Sequence, residues 1–163
     1  MRPSHSRISR YVARSQDMNI LERLAEGIET HSPSETIAIA SELLEVLPRE
    51  AILALEGDLG AGKTTFVKGL AEGMGIQDLI TSPTFNIYNT YRHQGKTLVH
   101  MDAYRLDPET NAVDELMIED FLVSPYCLAI EWPSRLGTLP WTPSIALDLK
   151  IDGPGVHRIR TLR

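Results

Sequence analysis

Eight consecutive residues, Gly57 to Thr64, read GDLGAGKT and match the pattern G-x-x-x-x-G-K-[ST] in full. Glycines in such a segment let the backbone curl until its N–H groups point at phosphate oxygens. Lys63 adds a positive charge that can reach the β- and γ-phosphates, and Thr64 adds a hydroxyl suited to Mg²⁺. The segment therefore predicts a phosphate-binding P-loop. Its predicted nucleotide contacts are Gly57, Asp58, Leu59, Gly60, Ala61, Gly62, Lys63, Thr64 and Thr65.

The flanking segments are those that such a loop requires. Residues 51–56 (AILALE) form a short apolar run typical of a buried strand, and residues 64–74 carry apolar groups at helical spacing. Strand, loop and helix in that order are the context that supports the motif. We therefore prefer this interpretation to a glycine-rich turn that matches the pattern by chance.

Two acidic residues follow apolar runs downstream of the loop. Asp102 comes after LVHM and is a candidate Mg²⁺ ligand, directly or through water. Glu131 comes after LAI, where a carboxylate can orient or deprotonate an attacking water. A solvated acid at a strand end is the bland alternative for each. The coincidence of both with a P-loop favours catalytic roles for Lys63, Asp102 and Glu131.

Other polar and aromatic residues near these acids have weaker signals. The segment 81–85 (TSPTF) is a proline-stiffened loop whose hydroxyls, Thr84 included, could sense a γ-phosphate or form an ordinary turn. Trp132 either packs or contacts nucleotide or partner. His100, Tyr104 and Arg105 surround Asp102 in sequence. No guanine-reading N-K-x-D or T-K-x-D segment is present, so we expect ATP with Mg²⁺ rather than GTP.

Length and composition predict one globular domain. The chain has 163 residues, 42% of them hydrophobic, and a single cysteine, Cys127, inside an apolar run. One cysteine cannot form an internal disulfide, and no apolar run has the length of a bilayer span. We expect a cytoplasmic protein without a membrane partner, in which Cys127 is a small core residue rather than a nucleophile.

The charge is unevenly distributed. Net charge is −6, but the first 16 residues hold four arginines and no acid, which leaves −10 for residues 17–163. A body so acidic argues against stand-alone nucleic-acid binding, which needs clustered Lys and Arg. For residues 1–18 we favour a basic, disordered extension over a transit peptide, and we place the P-loop domain at 19–163.

The predicted elements give an α/β fold. Residues 19–31 are ambiguous between helix and strand. A helix begins at Ser32-Pro33-Ser34-Glu35 with a capping box, buries the stripe Ile37, Ala40, Leu44 and Leu47, and ends before Pro48. A second helix runs from about Lys63 to Met74, stopped by Gly73 and Gly75.

The second half of the chain is predicted to be mostly strand. Strands are expected at 85–92, 96–101 and 127–132, a helix at 111–122, and a terminal hairpin at 144–151 and 155–162. Hairpins require some antiparallel pairs. The predicted fold is a P-loop NTPase-like three-layer sandwich with a mixed sheet and a C-terminal antiparallel hairpin.

Four segments together resemble one known family. The sequences GDLGAGKTT (57–65), TSPTF (81–85), HMDAYRL (100–106) and IEWPSRL (130–136) are similar to the motifs of the TsaE family, also called YjeE. They occur in the order and spacing of that family, and the resemblance runs from about Asn19 to the C-terminus. Members are small bacterial ATPases required for threonylcarbamoylation of adenosine 37 in tRNA (t6A formation).

The resemblance implies residue roles and partners. Lys63 and the loop backbone would hold the triphosphate, Thr64 and Asp102 would serve Mg²⁺, Glu131 would assist hydrolysis, and Trp132 would lie near the nucleotide. The 81–85 loop would be a switch-like segment. The implied partner is the TsaB–TsaD complex, whose TsaD subunit performs the transfer, so tRNA would be met only indirectly.

Two alternatives stay open from the sequence. A nucleoside or other small-molecule kinase shares the size and the P-loop, although no lid-like arginine cluster is visible after Arg105. A non-catalytic, nucleotide-gated binding module is the other alternative, and Asp102 and Glu131 argue against it. Because no strong candidate for an arginine finger in the chain itself stands out, slow intrinsic turnover is expected.

Overall fold

The fold is built on one mixed seven-stranded sheet. The computed structural model describes residues 17–110 and 112–163. Its helices are α1 (Ile20–Glu26), α2 (Pro33–Val46), α3 (Lys63–Gly73) and the short α4 (Ala112–Glu115). Its strands are β1 (Ile28–Thr30), β2 (Glu50–Gly57), β3 (Tyr88–His93), β4 (Lys96–Asp102), β5 (Tyr126–Glu131), β6 (Ile145–Gly153) and β7 (Val156–Thr161). Two 3₁₀ turns cover Ile118–Phe121 and Pro133–Leu136.

Strand order determines where the functional residues meet. The order across the sheet is β1-β7-β6-β2-β5-β4-β3, with β6, β2, β5 and β4 mutually parallel. The strands β3, β7 and β1 run antiparallel to their neighbours, and β6 and β7 form the terminal hairpin. The predicted mixed sheet with a C-terminal hairpin is therefore confirmed. In parallel sheets, ligands bind at the carboxyl ends of the strands, where β2, β4 and β5 all end here.

Two apolar clusters cover the two faces of the sheet. Alternate residues of the central strands, such as Leu53 and Leu55, pack beneath α2 and α3. The residues between them, such as Ile52 and Ile130, contact the segment that holds α4 and the 3₁₀ turns. The central strands are thus buried on both sides, which explains why they read as continuous apolar runs. The result is the predicted three-layer arrangement.

The N-terminal part of the described chain resolves an ambiguity of the sequence. Residues 19–31 contain both a helix, α1, and a strand, β1, which pairs with β7 at the sheet edge. Asn19 and Glu22 form a reciprocal capping box at the start of α1. Residues 1–16 of the predicted 1–18 extension lie outside the described residues, so the extension stays a prediction.

The start and buried face of α2 differ in detail from the prediction. Ser32 accepts a hydrogen bond from the Glu35 N–H, as expected of a cap, but the Glu35 carboxylate accepts from the His31 N–H at 2.7 Å, one residue before the cap. The predicted capping box is therefore wrong in its second half. Of the predicted stripe, Ala40 is buried and Ile37, Leu44 and Leu47 are half-buried. The buried positions of α2 are Thr36, Ile39, Ala40 and Leu43.

The buried arc of α2 is wider than the predicted stripe because the helix has two contact surfaces. The Thr36 hydroxyl lies 2.8 Å from the Thr30 hydroxyl of β1, whereas Ala40 and Leu44 lie on the side toward α3. A helix that contacts both a sheet and another helix buries a wider arc than one stripe.

Three other boundaries were wrong. β3 begins at Tyr88 rather than at residue 85, because residues 84–86 form a turn. The predicted helix at 111–122 consists of two separate helical turns, at Ala112–Glu115 and Ile118–Phe121, and Asn111 lies outside the described residues. Helix α3 ends at Gly73, one residue before the predicted Met74, and Gly75 follows it with φ +78°.

Glycine is required where α2 and α3 cross. A Cβ atom added to Gly69 would lie 2.4 Å from the Ile37 carbonyl oxygen and 2.6 Å from the Ala40 Cβ. Real Cβ atoms do not approach backbone oxygens so closely, so the two helices would have to separate. At Gly73 an added Cβ would lie 2.9 Å from the end of the Leu44 side chain, which can move.

We expect Gly69→Ala to destabilise the fold by roughly 1–3 kcal/mol, because overpacking outweighs the gain in helix propensity. Urea denaturation would measure the loss, with Gly73→Ala as the matched control on the same helix. Gly73→Ala should cost clearly less, since its nearest neighbour is flexible. Equal stability of both variants and the parent would contradict the close approach of the helices.

The single cysteine is a core residue, as predicted. Cys127 lies on β5 and is buried, and burial raises the pKa of its thiol to about 12 from an ordinary 9.0. At neutral pH the thiol is protonated and has no access to reagents, so it is not a nucleophile. Within the described ranges, no helix is both long and apolar enough to cross a membrane.

Candidate nucleotide-binding site

The loop between β2 and α3 has the geometry of an anion cradle. Gly60 and Gly62 take left-handed φ values of +79° and +102°. Gly57, with φ +141°, lies so near β6 that an added Cβ would fall 2.1 Å from the Leu149 carbonyl oxygen. No side chain caps the start of α3, which leaves its first N–H groups available to a ligand. Free N–H groups and the helix dipole at this end favour phosphate.

Lys63 is held in place at the centre of the loop. Its Nζ donates to the carbonyl oxygens of Gly57 (2.5 Å) and Asp58 (2.8 Å) and lies 4.1 Å from the centroid of the Trp132 ring. The residue is only 4% exposed. Burial lowers the pKa of Lys63, and the negative charges of Glu131, Asp102, Asp58 and Glu56 oppose that shift. A partly desolvated ammonium attracts phosphate oxygens more strongly than one in water.

Glu131 ends β5 and joins the loop to the sheet. It is 4% exposed, and its Oε1 accepts hydrogen bonds from the Thr64 hydroxyl and from His100 Nε2, each at 2.8 Å. Strand register places Glu131 beside Leu55 on β2 and beside Asp102 on β4. The carboxylate that the sequence proposed as a base therefore lies directly against the proposed Mg²⁺ ligand Thr64.

Asp102 ends β4 and is tied to the 81–85 loop. The Ser82 hydroxyl donates to its Oδ2 at 3.0 Å, and the Tyr104 N–H donates to its Oδ1 at 2.9 Å. One side-chain hydrogen bond therefore connects this loop to a proposed metal ligand. Thr84 lines the same cavity as Asp102, and its hydroxyl donates to the Ser82 carbonyl oxygen at 3.4 Å.

Trp132 closes one side of the cavity. Its backbone is left-handed, with φ +57°, so the chain turns immediately after Glu131 and carries the indole over Lys63. Tyr104 packs against this indole at a centroid distance of 5.1 Å. Non-glycine residues rarely adopt such a conformation, which costs roughly 1–3 kcal/mol and is found most often at functional sites.

These residues enclose an open cavity of about 510 Å³. It is lined by Leu59, Gly60, Gly62, Lys63, Thr64, Thr65, Ser82, Thr84, Ile87, Asp102, Tyr104, Arg105, Glu131 and Trp132. At its rim Leu59 and Phe85 are more than four-fifths exposed, and the Arg105 guanidinium lies 5.4 Å from the Phe85 ring centroid.

A smaller cleft of about 300 Å³ lies on the other side of the loop. It shares Gly60, Gly62 and Thr65 with the larger cavity and is bounded by His31, Pro33, Thr36, Gly155 and His157 among others. His157 Nδ1 lies 2.9 Å from the Ala61 carbonyl oxygen. This contact ties the terminal hairpin to the loop.

The structure brings most of the predicted site residues together. Lys63, Thr64, Thr65, Asp102, Glu131, Trp132 and Thr84 all line one cavity, with Leu59, Gly60 and Gly62. Gly57 and Asp58 contribute carbonyl oxygens to Lys63, and Ala61 instead faces inward and is buried. Of the residues that surround Asp102 in sequence, Tyr104 and Arg105 line the same cavity, and His100 contacts Glu131.

Sequence reasoning missed three contributors. Ser82 and His100 stand inside noticed motifs, but only register and strand-face alternation reveal which carboxylate each one contacts. His157 lies 96 residues from the carbonyl that it contacts, and nothing local signals that pairing.

The donor set fits Mg²⁺ in the manner of a nucleotide site. Thr64, Asp102 and Glu131 offer hard oxygen ligands near one another. Within residues 17–110 and 112–163, no group of three or more His, Cys, Asp or Glu residues forms a metal cage. Mg²⁺ in nucleotide sites typically takes one or two protein oxygens and completes its shell with phosphates and water.

The fold and the loop define a P-loop-like α/β protein. Residues 30–160 match the family model for the threonylcarbamoyl adenosine biosynthesis protein TsaE. The chain belongs to the TsaE family.

Individual relatives agree with this assignment. A TsaE protein of Aquifex aeolicus is 35% identical over 86% of this chain and 98% of its own. One of Treponema pallidum is 40% identical over 76% and 92%. The Bacillus subtilis TsaE protein is 42% identical over 63% of each chain, so the match spans under two thirds of that relative. The crystal structure of YdiB from Bacillus subtilis superimposes with a TM-score of 0.65 at 35% identity, covering 83% of this chain and 82% of that one.

The matching relatives are named tRNA threonylcarbamoyladenosine biosynthesis proteins.

Proposed function

We propose that this protein is a Mg²⁺-dependent ATPase that supports the TsaB–TsaD complex in threonylcarbamoylation of adenosine 37 of tRNA. The observation that carries the proposal is the Glu131 carboxylate, which is buried at a strand end and hydrogen-bonded to the P-loop Thr64. A site that only held phosphate would not need a desolvated carboxylate beside its hydroxyl and its lysine.

In the proposed hydrolysis, each residue of the site has a separate role. Lys63 and the free N–H groups of α3 hold the β- and γ-phosphates, and Lys63 offsets charge on the transferring group. Thr64 and Asp102 would hold Mg²⁺, which would supply neutralisation of phosphate charge. Glu131 accepts a hydrogen bond or proton from the attacking water. Burial of Glu131 and Lys63 strengthens both interactions relative to water.

The smaller cleft has room for the nucleoside end of the ligand. Glu131 and Asp102 lie on the β5–β4 side of the loop, where the γ-phosphate must react. The phosphate chain then runs past Thr65, and the cleft beyond it is bounded by His31 and His157. An imidazole and a proline at such a position suit a stacked base. ATP rather than GTP remains the proposed nucleotide because no guanine-reading segment is present.

The rim of the cavity suits a protein partner. Leu59 and Phe85 are 84% and 88% exposed, and Phe85 belongs to the loop that is bonded to Asp102 through Ser82. Exposed apolar side chains beside a nucleotide-dependent loop are typical of a docking surface. We propose that TsaB–TsaD docks here, in the cytoplasm, and that tRNA is held by the complex rather than by this acidic chain.

The proposed ATPase needs its partner for full rate. Arg105 lines the cavity, but its guanidinium lies over the Phe85 ring, and Arg135 lies over the Tyr104 ring. With no arginine fixed at the position of the γ-phosphate, we expect slow intrinsic hydrolysis. Docking either supplies a missing group or reorders the 81–85 loop.

A nucleoside or small-molecule kinase is the alternative that shares these residues. Such an enzyme would need an acceptor beside the γ-phosphate, and the cavity of about 510 Å³ leaves space for one. The Glu131–Thr64 hydrogen bond favours water activation, but a kinase base could occupy the same position.

The deciding experiment measures phosphate release from Mg²⁺–ATP by the pure full-length protein, alone and with a TsaB–TsaD complex from the same organism. We expect a slow basal rate and a stimulation of about tenfold or more. Co-purification or a binding isotherm must first establish that the complex binds.

Each outcome separates the candidates. Rates unchanged by a complex that demonstrably binds would overturn the partner-driven ATPase. Transfer of phosphate to members of a nucleoside panel, faster than to water, would establish the kinase. If the protein binds ATP and supports full pathway activity but catalyses neither reaction, it is a nucleotide-gated binding module.

A further inference from the structure

His100 is a buried histidine whose role the proposed chemistry does not yet explain. It lies on β4 and is 0% exposed. Strand alternation puts it on the same sheet face as Asp102, and it pairs in register with Ala129, two residues before Glu131. Its Nε2 lies 2.8 Å from Glu131 Oε1. The imidazole therefore supports the Glu131 carboxylate from deeper in the sheet.

The hydrogen bond fixes the form of the imidazole. A carboxylate oxygen accepts hydrogen bonds, so we assign the donated proton of this contact to Nε2. The other ring nitrogen, Nδ1, is buried and has no hydrogen-bond partner among the described residues. An apolar side chain would avoid leaving a polar atom without a partner in the core. Among the described residues, the hydrogen bond to Glu131 is the polar contact that offsets this cost.

Glu131 is held by two groups of different kinds. Thr64 and His100 both donate to the same oxygen, Oε1. Thr64 is also a proposed Mg²⁺ ligand on the nucleotide loop, so its bond belongs to the part of the site that ligands change. The His100 bond, by contrast, comes from a buried strand residue outside the nucleotide loop.

We propose that His100 is a positioning residue that orients the Glu131 carboxylate toward the attacking water. This inference rests on the proposed ATP hydrolysis. A carboxylate anchored through one oxygen by a buried donor keeps its second oxygen directed at the reaction. Without that anchor, rotation of the Glu131 side chain would take the base out of line, and small misplacements of this kind cost about 10- to 100-fold in rate.

Three substitutions at one position test the proposal. His100→Leu removes the donor and keeps an apolar volume. His100→Gln places an amide nitrogen where Nε2 lies and retains donation to Glu131. His100→Asn places its amide near the Nδ1 position, which contacts nothing among the described residues, so it controls for polarity without reach. The full chain is assayed with the TsaB–TsaD complex, and nucleotide affinity is followed with a fluorescent ADP analogue.

We expect His100→Leu and His100→Asn to lower kcat about 10- to 100-fold, with KM and ADP affinity within about twofold of the parent. His100→Gln should remain within about threefold of the parent kcat. A merely structural role would move melting temperature and affinity as much as kcat, and would not be rescued by Gln. Parent-like kcat in His100→Leu, or equal losses in Gln and Asn, would overturn the proposal. Should His100→Leu not fold, the Gln and Asn pair decides alone.

Crystal structures of the parent and His100→Leu provide a readout that needs no activity. We expect Glu131 to leave its position beside Thr64 in the variant. An unchanged Glu131 overturns the positioning role, whatever the rates. If the parent hydrolyses ATP while His100→Leu matches it, this inference fails alone. If the parent with bound complex does not hydrolyse ATP, the proposed function fails, and the crystal structures still decide the position of Glu131.

Discussion

Replacing Lys63 with alanine is expected to lower partner-stimulated ATP hydrolysis by about 10²–10³-fold or more, the loss typical of removing one preorganised charge from a transition state. Lys63 is buried, and its Nζ is fixed by hydrogen bonds to the Gly57 and Asp58 carbonyl oxygens of the loop. Arginine would not substitute, since its planar guanidinium cannot occupy a site shaped for a compact ammonium. Phosphate release with Mg²⁺–ATP and TsaB–TsaD measures the effect.

The substitution also tests the electrostatics of the site. Lys63 lies among Glu131, Asp102, Asp58 and Glu56, all of which raise its pKa against the lowering by burial. Its removal leaves these carboxylates without their nearest buried cation and should weaken ATP binding as well as kcat. Lys68→Ala, an exposed lysine on the same helix, is the matched control and should resemble the parent. Loss of activity in both variants, or in neither, would contradict the assigned role of Lys63.

The sequence predicted the loop well because its requirements are local. The left-handed backbone at residues 60 and 62 favours glycine, and Lys63 and Thr64 follow at fixed spacing. Eight consecutive residues therefore contain every feature of the phosphate-binding loop. The two acids were found for a related reason. Each ends an apolar strand, and parallel strands carry their last residues to one edge of the sheet.

The contacts between those residues could not be predicted in the same way. Whether His100 reaches Asp102 or Glu131 depends on the register of β4 against β5, which the sequence does not encode locally. The hydrogen bond from Ser82 to Asp102 depends on how a loop folds back over a strand end. Tertiary packing decides such pairings. The motif can therefore be recognised from the sequence, but the hydrogen bonds between its residues cannot be predicted.

Errors in the elements have a similar origin. Residues 85–87 have strand-like composition, but the chain turns there, with Ile87 at φ +68°, and leaves Phe85 exposed beside the cavity. A prediction from hydrophobic patterning assigns large apolar residues to the core, so it misplaces one that is exposed at the surface.

Replacing Glu131 with glutamine should separate ATP binding from ATP hydrolysis. The amide keeps the size of the side chain and can still accept the hydrogen bonds from Thr64 and His100, so the loop should keep its shape. It cannot accept a proton from water, and we expect kcat to fall by about 10²–10⁴-fold. ADP affinity should change little. Single-turnover hydrolysis and a fluorescent ADP titration measure the two quantities on the same preparation.

The comparison with Lys63→Ala makes the assignment specific. Lys63→Ala is expected to impair both binding and rate, whereas Glu131→Gln is expected to impair the rate alone, because its charge acts on water rather than on phosphate. Glu50→Gln, an exposed acid at the opposite end of β2, is the control and should hydrolyse ATP as the parent does. Normal hydrolysis by Glu131→Gln would remove the general base from the mechanism. Normal ATP binding with full support of TsaB–TsaD but no hydrolysis would instead show that binding alone drives the partner.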